Sequence, residues 1–224
     1  MRSTVLPRAF ARAFARASGT LAVAALASMA TVSQAQDAAA PVVGNADRGA
    51  TLAYTCIGCH GVANYKNSVP VYNVPRLRGQ NADYLVLALQ AYQSGERSHA
   101  TMHANSSTLD AQDMADIAAY LAGEPLQPST KPVGTPPAAA QVCVACHGND
   151  GVGITPQYPT LSGQHESYIV RALTDYKKGG RKNAVMAGFA GPLTEADIKA
   201  LAAYYAAQRP ALGIPQAGKR VAAR

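Results

Sequence analysis

The stretches TCIGCHGVAN (Thr55–Asn64) and VCVACHGNDG (Val142–Gly151) hold all four cysteines of this 224-residue chain, in two copies of Cys-x-x-Cys-His. That spacing admits three chemistries: half of a zinc site, a thiol–disulfide couple, or covalent attachment of a c-type haem. Four thiolates could close one zinc site, but zinc gives no reason for a histidine directly after each second cysteine. A thioredoxin-like couple needs a strand-then-helix setting, and no β-branched run precedes either motif. In haem attachment the two thiols add across the porphyrin vinyls and the next residue supplies the proximal imidazole. His60 and His147 hold that place. The motifs therefore point to two covalently attached haem c groups, through Cys56, Cys59 and His60 and through Cys143, Cys146 and His147.

The chain is also duplicated. LRGQNADYLVLALQAYQSGER (Leu77–Arg97) and LSGQHESYIVRALTDYKKGGR (Leu161–Arg181) align at a constant offset. Pro75 meets Pro159, Gly79 meets Gly163, and Gln80 meets Gln164; Tyr84, Tyr92 and Arg97 meet Tyr168, Tyr176 and Arg181. The loop after the first haem motif is the longer of the two. Between the halves, GEPLQPSTKPVGTPP is too rich in proline to continue a helix and reads as an extended linker. The expected layout is a signal peptide at 1–35, an N-terminal domain at 36–124, a linker at 125–137, a C-terminal domain at 138–210 and a basic flexible tail at 211–224.

Both halves have helical periodicity and lack strand patterns. Asn45 is placed to cap a short helix leading into Cys56. Asp83 to about Ser94 is helical, with Leu85, Leu89 and Tyr92 on one face. Asp110 with Asp113, and Thr194 with Asp197, mark the starts of two further helices, which Gly123 with Pro125 and Pro210 end. Domains this small bury little apolar surface unaided, so haem would supply much of each core.

The first 35 residues carry Arg2, Arg8, Arg12 and Arg16, then an apolar stretch too short to span a bilayer, then Ser33-Gln34-Ala35. This reads as a cleaved secretory signal, with a mitochondrial presequence the weaker alternative, and places the protein in the periplasm. The full chain has a net charge of +7. From Asp37 to Glu124 there are five basic and eight acidic side chains, and beyond Pro125 eleven and five. The excess is too modest for a nucleic-acid partner, but the uneven halves would orient the molecule at a partner's surface. Lys177, Lys178, Arg181 and Lys182 form a candidate docking cluster, or else a solubilising loop.

The sixth iron ligand decides between electron transfer and chemistry at iron. Beyond the leader the methionines are Met102, Met114 and Met186. Met114 falls on the apolar face of a helix, where it fills core. Met102 and Met186 match each other and are left as the sixth ligands, in loops between helices. His99 and His103 flank Met102 and could ligate instead, or be surface histidines. Neither is repeated in the second half, where positions 183 and 187 are Asn and Ala. His165 is likewise unmatched and is expected to be solvated. The carbonyls of Pro75 and Pro159 could accept the proximal imidazole N–H, unless these are ordinary turn prolines. Arg97 and Arg181 could neutralise haem propionates, or be exposed loop residues.

Two tandem Cys-x-x-Cys-His domains, each with P-x-L-x-G-Q, a later methionine and a helix ending in Ala-Ala-Tyr, resemble the di-haem cytochrome c4 family from about Asn45 to Gln208. The resemblance implies an all-α protein of two class I cytochrome c domains related by a pseudo-two-fold. It also implies the ligand sets Cys56, Cys59, His60, Met102 and Cys143, Cys146, His147, Met186. The function it implies is that of a non-enzymatic periplasmic carrier, from a quinol-oxidising cytochrome bc complex to a haem-copper terminal oxidase. The partners are then redox proteins, possible peripheral membrane contact included, with no small-molecule substrate. A haem subunit of a periplasmic dehydrogenase complex and a di-haem peroxidase are the alternatives. The helix before Cys143 is short and alanine-rich and has no glycine in the place of Gly49.

Overall fold

Asn45 opens the first helix: its side-chain oxygen accepts the backbone N–H groups of Asp47 and Arg48, at 2.9 and 3.1 Å. Such a cap contributes about 1 kcal/mol. The computed structural model describes residues 42–217. In the first half, α1 (Ala46–Leu52) runs into α2 (Tyr54–His60), which carries the first haem motif. The longer loop that follows folds into a two-residue ladder, β1 (Lys66–Asn67) against β2 (Tyr72–Asn73), antiparallel and in register Lys66 to Asn73. This hairpin departs from the all-helical pattern and is too short to show as a strand periodicity. Then come α3 (Ala82–Gln93), α4 (Ala100–Ser106) and α5 (Ala111–Ala122).

The second half begins with a 3-10 turn at Ala138–Val142 in place of α1. It continues with α6 (Val144–His147), α7 (Glu166–Lys178), α8 (Ala184–Ala190) and α9 (Glu195–Ala207). Asp110 with Asp113 and Thr194 with Asp197 each form a reciprocal capping box at the start of α5 and α9. Each half has its own apolar centre. Leu85, Ile117, Ala118 and Leu121 join α3 to α5, and Ile169, Leu201, Ala202 and Tyr205 join α7 to α9. Met114 is buried in the core, as its place on an apolar face predicts.

The halves lock together by paired contacts. The backbone N–H of Ser98 donates to Gly180 O at 2.8 Å, and that of Lys182 to Glu96 O at 2.7 Å, so the strands around Arg97 and Arg181 form an antiparallel bridge. The proline-rich segment between the halves is pinned at both ends. Leu126 N–H donates to Gly79 O at 3.2 Å, and the Gln208 side chain takes both the N–H and the C=O of Val133, each at 2.8 Å.

The expected flexible tail differs in its first part. Residues 211–217 fold back onto the N-terminal half, where Gly213 exchanges two backbone hydrogen bonds with Arg78 and Tyr120 donates its hydroxyl to Gln216 O at 3.0 Å. Leu212 and Pro215 are buried, an apolar anchorage that a count of basic residues hides. Positions 218–224 and the expected leader at 1–35 lie outside the described residues.

Candidate functional site

His60 and His147 each sit at a helix C-terminus with one ring nitrogen already engaged. His60 Nδ1–H donates to Pro75 O at 3.0 Å and His147 Nδ1–H donates to Pro159 O at 2.9 Å. A carbonyl can only accept, so the proton is on Nδ1 in both rings and Nε2 is left with its lone pair for a metal. Burial lowers the pKa of both imidazoles, outweighing the opposing pull of the proline carbonyl, which favours the neutral ligating form. The prolines are thus more than turn residues: they orient the rings.

The four thiols are free and partly buried. Among the described residues no three His, Cys, Asp or Glu side chains gather to hold a metal ion, which removes the reading of one zinc site built from both motifs. Instead a cavity of about 450 Å³ is lined by Cys143, Cys146 and His147 together with Met186 and Phe189. Leu173, Leu201 and Tyr205 supply apolar wall, and the cavity reaches the first half at Gln80, Tyr84 and Arg97. Tyr205 is buried, and its hydroxyl is the one buried side-chain polar atom among the described residues without a partner. Free thiols, an imidazole with Nε2 available and a thioether lining the same largely apolar cavity all suit a haem.

Met102 and Met186 lie in the first turns of α4 and α8, not in loops. The N-cap side chains explain why. His99 Nδ1 accepts the backbone N–H of Met102 at 3.2 Å, and Asn183 Oδ1 accepts that of Met186 at 2.9 Å. His99 and Asn183 are therefore counterparts after all, matched by role and not by residue type, and the Nδ1 of His99 is committed to the cap. His103 holds Tyr92 O through Nδ1 at 2.9 Å, and His165 is half-buried at the start of α7.

Arg97 and Arg181 are buried, contrary to the exposed-loop alternative and to the place of Arg181 in a docking cluster. Each donates to a tyrosine hydroxyl, Arg97 to Tyr84 at 3.2 Å and Arg181 to Tyr168 at 3.1 Å. Each also lies over two rings, Tyr84 and Tyr92 or Tyr168 and Tyr176, at 5.3 and 5.6 Å from the centroids. Among the described residues neither has a carboxylate partner; the ion pairs are those of Arg48 and Arg171. Two buried cations at the seam of the halves, unanswered by protein acid, favour anionic groups there.

The cytochrome c family model matches residues 46–123 and 138–207, one copy in each half. The chain is 32% identical over 185 residues to the cytochrome c4 of Pseudomonas aeruginosa, covering 74% of this chain and 89% of that one. The chain belongs to the di-haem cytochrome c4 family. It is also 31% identical over 208 residues to the thiosulfate dehydrogenase electron acceptor of Thiomonas intermedia, covering 84% and 90%. Among solved structures, reduced recombinant cytochrome c4 from Pseudomonas stutzeri superposes with a TM-score of 0.60 at 30% identity, covering 75% of this chain and all of that one. The protein is a di-haem electron carrier with two covalently attached haem c groups, one in each cytochrome c domain.

Proposed function

We propose that Cys56, Cys59, His60 and Met102 hold the first haem and Cys143, Cys146, His147 and Met186 the second, each iron bound by one imidazole and one thioether. The observation that carries this is the single cavity joining the second motif to Met186 and opening onto the other half. The first set follows by the repeat, with matching carbonyl and cap contacts at His60 and Met102. Each haem supplies one-electron iron chemistry. With His60 and Met102 on one iron and His147 and Met186 on the other, no position would be left open for peroxide, which favours a carrier over a peroxidase. Arg97 and Arg181, with their tyrosines, answer the haem propionates where the halves meet.

The carrier works in the periplasm after the leader is cut, between a quinol-oxidising cytochrome bc complex and a haem-copper terminal oxidase. A second reading, electron acceptor to a periplasmic dehydrogenase, is favoured by the relative named for that role, which spans most of this chain. Intact mass and optical spectra test the site. The mature protein should carry two haems that survive acid-acetone extraction, and Met102→Ala and Met186→Ala should each turn one low-spin iron into an open or water-bound one. A mass with one haem, or a spectrum changed by Met114→Ala and not by Met102→Ala, overturns the ligand sets. Reduction of the purified protein by each candidate donor complex separates the two partner readings.

A further inference from the structure

Gln80 and Gln164 close the repeated P-x-L-x-G-Q motifs, and each reaches out of its own half. The Gln80 side chain accepts Thr160 N–H at 2.8 Å and donates to Thr160 O at 2.9 Å. Gln164 accepts Arg76 N–H at 2.9 Å and donates to Arg76 O at 2.9 Å. Both glutamines are buried, at 3% and 4% exposure. Gly79 and Gly163 precede them with φ of +85° and +66°, a left-handed turn that swings the side chain across the seam.

Thr160 and Arg76 are the residues directly after Pro159 and Pro75. The N–H that each glutamine takes and the C=O that holds each proximal histidine are therefore two ends of one peptide group. That group is planar: fixing the direction of its N–H fixes the direction of its carbonyl. We propose that Gln80 and Gln164 are crossed positioning residues, each setting the peptide that orients the proximal histidine of the other half. This rests on His60 and His147 being the proximal ligands.

Two physical effects run through the clamp. The first is geometric: Gln80 holds the carbonyl of Pro159 on His147, and Gln164 that of Pro75 on His60. The second is electronic. An N–H donated to an amide oxygen polarises its peptide and strengthens the carbonyl at the other end as an acceptor. A stronger acceptor draws the Nδ1 proton, makes the imidazole the better electron donor and favours ferric iron. Loosening a clamp should therefore raise the potential of the haem in the opposite half. The interface thereby ties the tuning of each haem to the presence of its neighbour domain.

The test uses full-length holoprotein with Gln80→Leu and Gln164→Leu, read by spectroelectrochemical titration and by NMR of the ferrous Nδ1–H protons of His60 and His147. Gln80→Leu should raise the potential of the second haem and speed exchange of the His147 proton, leaving His60 as it was; Gln164→Leu should do the mirror image. Should a leucine variant fail to give folded holoprotein, Gln80→Asn and Gln164→Asn draw the same polar atoms back by one methylene. They should give the same crossed shifts, smaller. A shift in the glutamine's own half, equal shifts in both haems, or none while both stay low-spin overturns the proposal. Wild-type protein whose haems prove not to be bound by His60 and His147 would instead overturn the ligand sets.

Discussion

The two halves share a haem motif and a helix pair, yet the helix that carries Ala-Ala-Tyr is treated differently in each. In the first half α5 is covered on nearly every side, and Asp116 lies buried beneath α1. Its carboxylate accepts Asn45 N–H at 2.6 Å and Gln112 Nε2–H at 2.8 Å, and pairs with Arg48. In the second half the matching residue is Ala200, exposed, because the 3-10 turn before Cys143 replaces α1 and leaves that face of α9 open. The same haem-binding frame thus tolerates two ways of supporting its C-terminal helix. One is a packed polar crossing; the other is a small apolar contact through Ala140, which is fully buried.

The sharpest way to break this contrast is at the crossing itself. A Cβ on Gly49 would collide with the backbone carbonyl of Asp116 and sit 2.9 Å from Tyr120 Cβ, so α1 and α5 would have to separate. Gly49→Ala should destabilise the first half by about 3 kcal/mol or more, the upper range for overpacking. Ala140→Gly, which removes one buried methyl, should cost the second half only about 1 kcal/mol. Chemical denaturation of the holoprotein, followed at the haem bands, would show the difference; equal losses would mean that the crossing is not specific to the first half.

Asp116 sharpens the same contrast through acid. Burial alone would raise its pKa, but the Asn45 N–H, Arg48 and Gln112 together hold it below the ordinary value of 3.8. A depressed carboxylate stabilises the fold fully above its unfolded value, and that contribution is lost as pH falls through the folded one. Acid unfolding should therefore begin in the first half below about pH 4, with the second half unaffected by this group. Asp116→Ala should cost about 1.5–3 kcal/mol, the loss of hydrogen bonds to a charged group from Asn45, Gln112 and Arg48, which keeps Asp113 as a partner, and should flatten the acid limb. An unchanged acid limb in Asp116→Ala would show that another carboxylate controls it.

What the sequence discloses of this fold is what is written locally. Asn45, the two capping boxes and the glycine and proline stops mark helix ends because a cap needs only residues within a turn of it. The haem motifs are legible for the same reason, each being one turn of helix. The contacts of Gln80 and Gln164 are not legible although the repeat displays both residues, since their partners lie 80 and 88 residues away in the other half. Arg97 and Arg181 looked like loop cations because nothing local shows that the loops face each other. His99 has no like residue at position 183, yet a cap requires only an acceptor at the right place, which Asn183 also supplies.

That last pair yields a smaller effect. If His99 and Asn183 perform one task, His99→Asn should be close to neutral, within about 0.5 kcal/mol. His99→Ala and Asn183→Ala should each cost about 1 kcal/mol and loosen the turn bearing Met102 or Met186. The charge-transfer absorption of the methionine–iron bond, followed during thermal unfolding, checks both. A large loss in His99→Asn would show that the imidazole does more than cap.

The smallest expected effect concerns the charge difference between the halves. Of the four basic residues near the second haem motif, Arg181 is buried at the seam, and Lys177 donates to the carbonyls of Gly191 and Leu193. Lys178 and Lys182 remain as exposed cations. Two surface charges change a collision rate, not a bound geometry, and only while salt leaves them visible; the screening length is about 10 Å at 0.1 M. Changing both to Gln should lower the rate of electron exchange with an acidic partner by about twofold at low ionic strength, with wild type and variant converging as salt rises. Stopped-flow rates across an ionic-strength series measure this. Coincident rates at every salt would mean that these lysines only keep the loop in water, and that the partner meets the molecule elsewhere, on the acidic first half or at the apolar rim around Val185 and Phe189, both exposed beside the second cavity.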